Sequence, residues 1–133
     1  MILVDDHLLA TRLRDDGFGP GSNPIATTCC WWWRLASAVQ GGRSGALTRR
    51  LGDGDLAPAT RAIDELGETV RIVDLRTMVP MMSRVAATYR LNLLASEALV
   101  AAEMLRADIV VGQDTPRLRE AARVRGITYL VEA

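Results

Sequence analysis

Lysine is absent from this chain: all 16 basic residues are arginine, and 16 acidic residues bring the formal net charge to zero. A balance of that kind gives no chain-wide attraction to nucleic acid or to an anionic membrane and leaves only local patches to make such a case. Together with many Ala, Gly and Val residues, the choice of Arg over Lys reads as the coding bias of a GC-rich genome. Histidine occurs once, at His7, so a Ser–His or multi-histidine metal constellation has almost no material. The two cysteines are adjacent. Cys29 and Cys30 would join only through a distorted backbone and are too few for a structural zinc site, so small buried thiols are expected. No stretch approaches some 18 uninterrupted apolar residues, and "MILVDDHLL" carries no basic leader; the expectation is a cytoplasmic chain with no membrane span. "GFGPGSN" lacks the Lys and the strand–helix setting of a phosphate-binding loop, and it fails as a dinucleotide fingerprint.

What is present fits one globular domain over residues 1–133, because 49% apolar and 24% charged residues are ordinary for such a fold. "MILVD" reads as a strand and "HLLATRL" as a helix. Residues 15–24, "DDGFGPGSNP", read as a loop. A brief strand "IATT" precedes a helix from Cys29 to about Gln40, stopped by Gly41 and Gly42, with another turn or two in "RSGALTRRL". "PATRAIDELG" reads as a helix and "TVRIVDL" as a strand. A helical stretch through Met78, Met81, Met82 and Val85 follows, with Pro80 in its first turn or at a kink. The longest helical pattern is "LLASEALVAAEMLRA"; strand "DIVVG", helix "TPRLREAARVRG" and strand "ITYLVE" complete the chain. Strands alternating with helices imply an α/β layer structure with a mostly parallel sheet.

Open parallel sheets bind ligands beyond the carboxyl ends of their strands. Asp5 closes the first strand and Asp114 follows "DIVVG", so both are candidates for that crevice; the plain alternative is that each caps or precedes a helix. Glu97 is the third. On a helical wheel it lies on the shoulder of the stripe formed by Leu94, Ala98, Ala101 and Leu105, where a carboxylate needs a cation, a hydrogen-bond donor or a metal. A shielded salt bridge to an arginine is the alternative to a ligand role.

The segments "ILVDDHLL", "YRLNLLASEALVAAEMLRADIVVGQD" and "LREAARVRGITYLVE" together resemble PIN domains, the fold of VapC toxins of bacterial toxin–antitoxin pairs. The resemblance implies a single-domain three-layer fold. It also implies an acidic cluster at the carboxyl edge of the sheet that holds Mg²⁺ or Mn²⁺ for endoribonuclease cleavage of an RNA phosphodiester. Mapped onto this chain, the catalytic and metal-binding acids would be Asp5, Glu97 and Asp114. Three departures accompany the likeness. Asp6 stands where a small hydroxyl residue usually follows the first acid, and Glu97 stands where Asp is common. Arg34 occupies the place of the second acid, with Thr28 in the preceding hydroxyl position and Leu35 following. No register shift restores that acid, because residues 17–52 contain neither Asp nor Glu.

An arginine is always charged, and one placed within a few ångströms of these carboxylates would compete with the metal for their oxygens. The expectation is therefore a weakened or silent metal site; alternatively Arg34 grips a phosphate directly. Trp31, Trp32 and Trp33 fan over about 200° of a helix, so at least one should lie near the surface or under a partner while two fill gaps in the core. The exposed ring is expected to serve a homodimer, a VapB-like antitoxin or another protein partner, in preference to stacking on an unpaired base, since no aromatic–basic interleaving extends further. Two functions stay open: a Mg²⁺- or Mn²⁺-dependent endoribonuclease with a weakened site, and a catalytically silent PIN scaffold that binds RNA or protein.

Overall fold

The structure, a computed structural model, describes residues 1–15, 24–41, 45–51 and 57–132. Its centre is a five-stranded sheet of β1 (Ile2–Val4), β2 (Ile25–Thr27), β3 (Arg71–Ile72), β4 (Asp108–Val111) and β5 (Tyr129–Val131). The order is β3-β2-β1-β4-β5 and every pairing is parallel, for example Leu3 opposite Ala26 on one side and Ile109 on the other. Helices described between them are α1 (Asp6–Asp15), α2 (Cys29–Gly41), α3 (Ala46–Arg50), α4 (Ala57–Asp64), α5 (Leu66–Thr69), α6 (Leu75–Tyr89), α7 (Leu93–Leu105) and α8 (Pro116–Val124).

The central strands β1 and β4 are largely apolar because both of their faces are covered. Leu3, Ile109 and Val111 point to one core with Met78, Leu99 and Leu118 from α6, α7 and α8, whereas Val4 and Val110 point to a second core with Leu9, Ile63 and Leu66. The two-residue period of a strand sorts neighbours onto opposite faces. Full burial of each large aliphatic side chain contributes roughly 1.5–3 kcal/mol. Helix α2 spans the two cores, sending Trp31 into the first and Leu35 and Val39 into the second.

Some boundaries differ from the sequence reading. The expected strand "TVRIVDL" is paired only over Arg71–Ile72, because Asp74 turns the chain into α6 by accepting the Arg76 N–H at 3.0 Å. Pro80 lies past the first turn of α6, on its exposed side, and the helix continues through it. "PATRAIDELG" divides into α4 and α5. The loop expected at residues 15–24 lies mostly outside the described residues, as do Gly42 and Arg43. Among the described residues, no helix is long and apolar enough to cross a membrane.

Candidate functional site

From β1 the chain steps to β2 and β3 on one side and later returns to β4 and β5 on the other, so the topological switch point falls between β1 and β4. That is where a crevice opens in such sheets. Asp5 sits at it, 3% exposed. Its carboxylate accepts the Leu8 N–H at 2.9 Å, which caps α1, the Gly112 N–H at 3.0 Å and the Gln113 N–H at 3.2 Å. Asp5 thus staples the start of α1 to the chain leaving β4. Gly112 is required there: a Cβ at this position would lie 2.9 Å from His7 Cβ and 3.0 Å from Arg50 Nη1. Arg50 in turn donates to Gly112 O at 3.1 Å and to Thr11 at 3.2 Å, tying α3 to the crevice wall.

The other expected acids are engaged separately. Glu97 is fully buried and its Oε1 accepts the Cys30 N–H at 3.0 Å, capping α2, while Oε2 is buried with no hydrogen-bond partner. No arginine reaches it among the described residues, so the anticipated shielded salt bridge is replaced by a helix cap. Asp114 accepts from Arg119 at 2.7 Å and from the Tyr129 hydroxyl at 3.0 Å. Burial, and then the hydrogen bond to Asp114, push the Tyr129 phenol up to about 12. Among the described residues, no three His, Cys, Asp or Glu side chains converge as a metal-binding group. Asp5, Glu97 and Asp114 each have hydrogen-bond partners of their own: the chain leaving β4, the start of α2, and Arg119 with Tyr129.

Arg34 pairs with Asp6, the residue after Asp5, with Nε 3.3 Å from Oδ2. Asp6 is 1% exposed, and this ion pair lacks hydrogen-bond geometry. Burial pushes the Asp6 carboxyl above its ordinary range, the charge of Arg34 pulls it back, and neighbouring Asp5 pushes it up again. Sequence reasoning missed this pair, although both residues had been marked as departures from one pattern and their charges are opposite. Thr28 is buried and caps α2, its hydroxyl accepting the Trp31 N–H at 3.1 Å. The cysteines are partly buried rather than enclosed, and burial together with Glu97 pushes Cys30 up to about 12.

The tryptophans divide as their spacing requires. Trp31 is in the core, Trp32 is half-buried and donates its indole N–H to Ile63 O at 3.0 Å, and Trp33 is 69% exposed. Trp33 and Arg34 lie on the rim of an open cavity of about 440 Å³ that His7 and Gln113 also line. His7 is the second feature the sequence did not flag; a lone histidine offered no partner from which to infer a site.

What the chain shares with a known structure is a fold. No family model matches it, and no curated protein matches it in sequence. The crystal structure of PAE2754 from Pyrobaculum aerophilum superimposes with a TM-score of 0.61 at 19% identity, covering 98% of this chain and 83% of that one. An identity that low supports common architecture and assigns no chemistry.

Proposed function

We propose that this chain is a PIN-like scaffold that binds single-stranded RNA at its strand-end crevice and does not assemble the metal centre of a PIN nuclease. The observation that carries the reading is the Asp6–Arg34 pair, which puts a cation at the crevice where the resemblance calls for an acid. The hydrogen bonds that engage Asp5, Glu97 and Asp114 support the same conclusion. Mg²⁺ keeps several waters and is held through one or two carboxylates, which must turn open lone pairs to the ion. Asp5 has spent its oxygens on three backbone N–H groups and Asp114 on Arg119 and Tyr129. The residues present do not fit the ion in this arrangement. RNA is favoured over a protein partner because exposed Trp33 and Arg34 flank a concave site, and a base stacks well on an indole.

The endoribonuclease reading retains one observation in its favour, the unpartnered Oε2 of Glu97. Fluorescence anisotropy with a short labelled single-stranded RNA separates the two, run in EDTA and in Mn²⁺ with the products resolved on a denaturing gel. Saturable binding in EDTA with the RNA intact in Mn²⁺ is expected. Cleavage that requires Mn²⁺ and disappears in Asp5→Asn would restore the nuclease. Absence of RNA binding would leave Trp33 to a homodimer or an antitoxin-like partner.

A further inference from the structure

The most telling group outside the carboxylates is His7. Its side chain lines the cavity, its residue is only 5% exposed, and its imidazole makes no hydrogen bond among the described residues. In neutral form an imidazole offers one donor and one acceptor, the pattern found along the edge of a nucleobase. The rim has different chemistry. Trp33 presents an exposed aromatic face, and Arg34, 43% exposed at its side chain, is held by Asp6 through Nε. That leaves the terminal nitrogens, which make no hydrogen bond among the described residues, to face a ligand, and this planar edge matches phosphate oxygens.

We propose that this cavity is a pocket for one nucleotide unit, with the base stacked on Trp33 and hydrogen-bonded along its edge by His7, and the phosphate at the rim on Arg34. The volume of about 440 Å³ lies within the range of small-ligand sites. The order of burial sets the orientation: the enclosed imidazole suits an uncharged base edge, and the half-exposed guanidinium suits a charged group that stays partly hydrated. Because Asp6 already balances much of the Arg34 charge, phosphate alone has little to hold it, and the base supplies the larger share of binding. Gly112 makes the pocket possible, since a side chain there would displace His7. The unit can belong to a strand or to a free nucleotide; the first source rests on the RNA reading above, the second does not.

The test is quenching of tryptophan emission, Trp33 being the exposed indole, checked by calorimetry for the variant that lacks it. Adenosine 5′-monophosphate and the dinucleotide ApA should bind saturably, and inorganic phosphate at equal concentration should not. Trp33→Ala should weaken binding about 10-fold or more, as loss of one stacked base does. His7→Ala should weaken it similarly, with His7→Gln recovering part of the loss because an amide also carries a donor and an acceptor. Circular dichroism of each variant checks folding, and His7→Gln keeps the test open if His7→Ala unfolds. Failure of both nucleotides to bind, or equal affinity in wild type, Trp33→Ala and His7→Ala, overturns the pocket. RNA binding that is indifferent to His7 overturns the pocket and leaves the RNA reading standing. Nucleotide binding without RNA binding upholds the pocket and overturns the RNA reading.

Discussion

Arg34 Nε lies 3.3 Å from Oδ2 of Asp6, joining a guanidinium at the crevice rim to a carboxylate almost wholly out of solvent. Each residue breaks the pattern the sequence resembles, and each compensates for the other. Arg34→Ala would strip the charge partner from a buried acid. Since the arginine is itself 43% exposed, the loss should be about 1–2 kcal/mol, below the figure for fully enclosed pairs. Asp6→Asn should cost less, because the freed guanidinium can hydrate. The double variant Asp6→Ser with Arg34→Glu should be more stable than Arg34→Glu alone, which sets two acids side by side. Urea denaturation of wild type and these four variants measures all of this.

Glu97 is expected to act as a cap for α2. Glu97→Ala leaves the Cys30 N–H without its acceptor and opens a buried void, for a loss of about 2–4 kcal/mol. Glu97→Gln keeps an acceptor at Oε1 and should stay within about 1 kcal/mol of wild type. If Glu97→Gln were as damaging as Glu97→Ala, the charge itself would matter, and a bound cation would become the natural explanation.

Gly112→Ala should destabilise the fold by about 1–3 kcal/mol, the usual range for overpacking. The added methyl meets His7 Cβ at 2.9 Å, an atom that moves only with its backbone. A thermal melt reads the loss. An unchanged melting temperature would mean that the crevice is looser than described.

Tyr129 gives the fold an alkaline limb. Its phenol titrates near 10 in an unfolded chain and is pushed up to about 12 in the fold, chiefly by burial. The folded state holds this proton more tightly, so the stabilisation is complete below about pH 10 and disappears as pH rises through about 12. The difference in urea midpoint between wild type and Tyr129→Phe should therefore shift in favour of the variant across that window. A constant difference would contradict the assignment.

How legible this was in the sequence depends on the range of the determining contacts. β1 and β4 could be read from "MILVD" and "DIVVG" because doubly covered parallel strands are apolar without interruption. β3 could not be delimited, since Val70 and Val73 continue the apolar pattern beyond the two paired residues and only the Asp74 cap shows where the strand stops. That at least one of Trp31, Trp32 and Trp33 is exposed followed from helical geometry; that it is Trp33 did not. The site was harder. Asp5 was placed correctly at a strand end, but its partners are backbone groups of Gly112 and Gln113, which side-chain identities do not reveal. The docking of Arg34 on Asp6 depends on how α2 lies against the start of α1, a tertiary relation that no local pattern encodes.

The claim that a cation of the chain itself has replaced the metal at the crevice is tested most directly by isothermal titration of the wild-type protein with Mn²⁺. The expected trace shows no stoichiometric heat for wild type and a measurable binding isotherm for Asp6→Ser with Arg34→Glu. Tight, one-to-one Mn²⁺ binding by the wild-type chain, lost in Asp5→Asn, would contradict it.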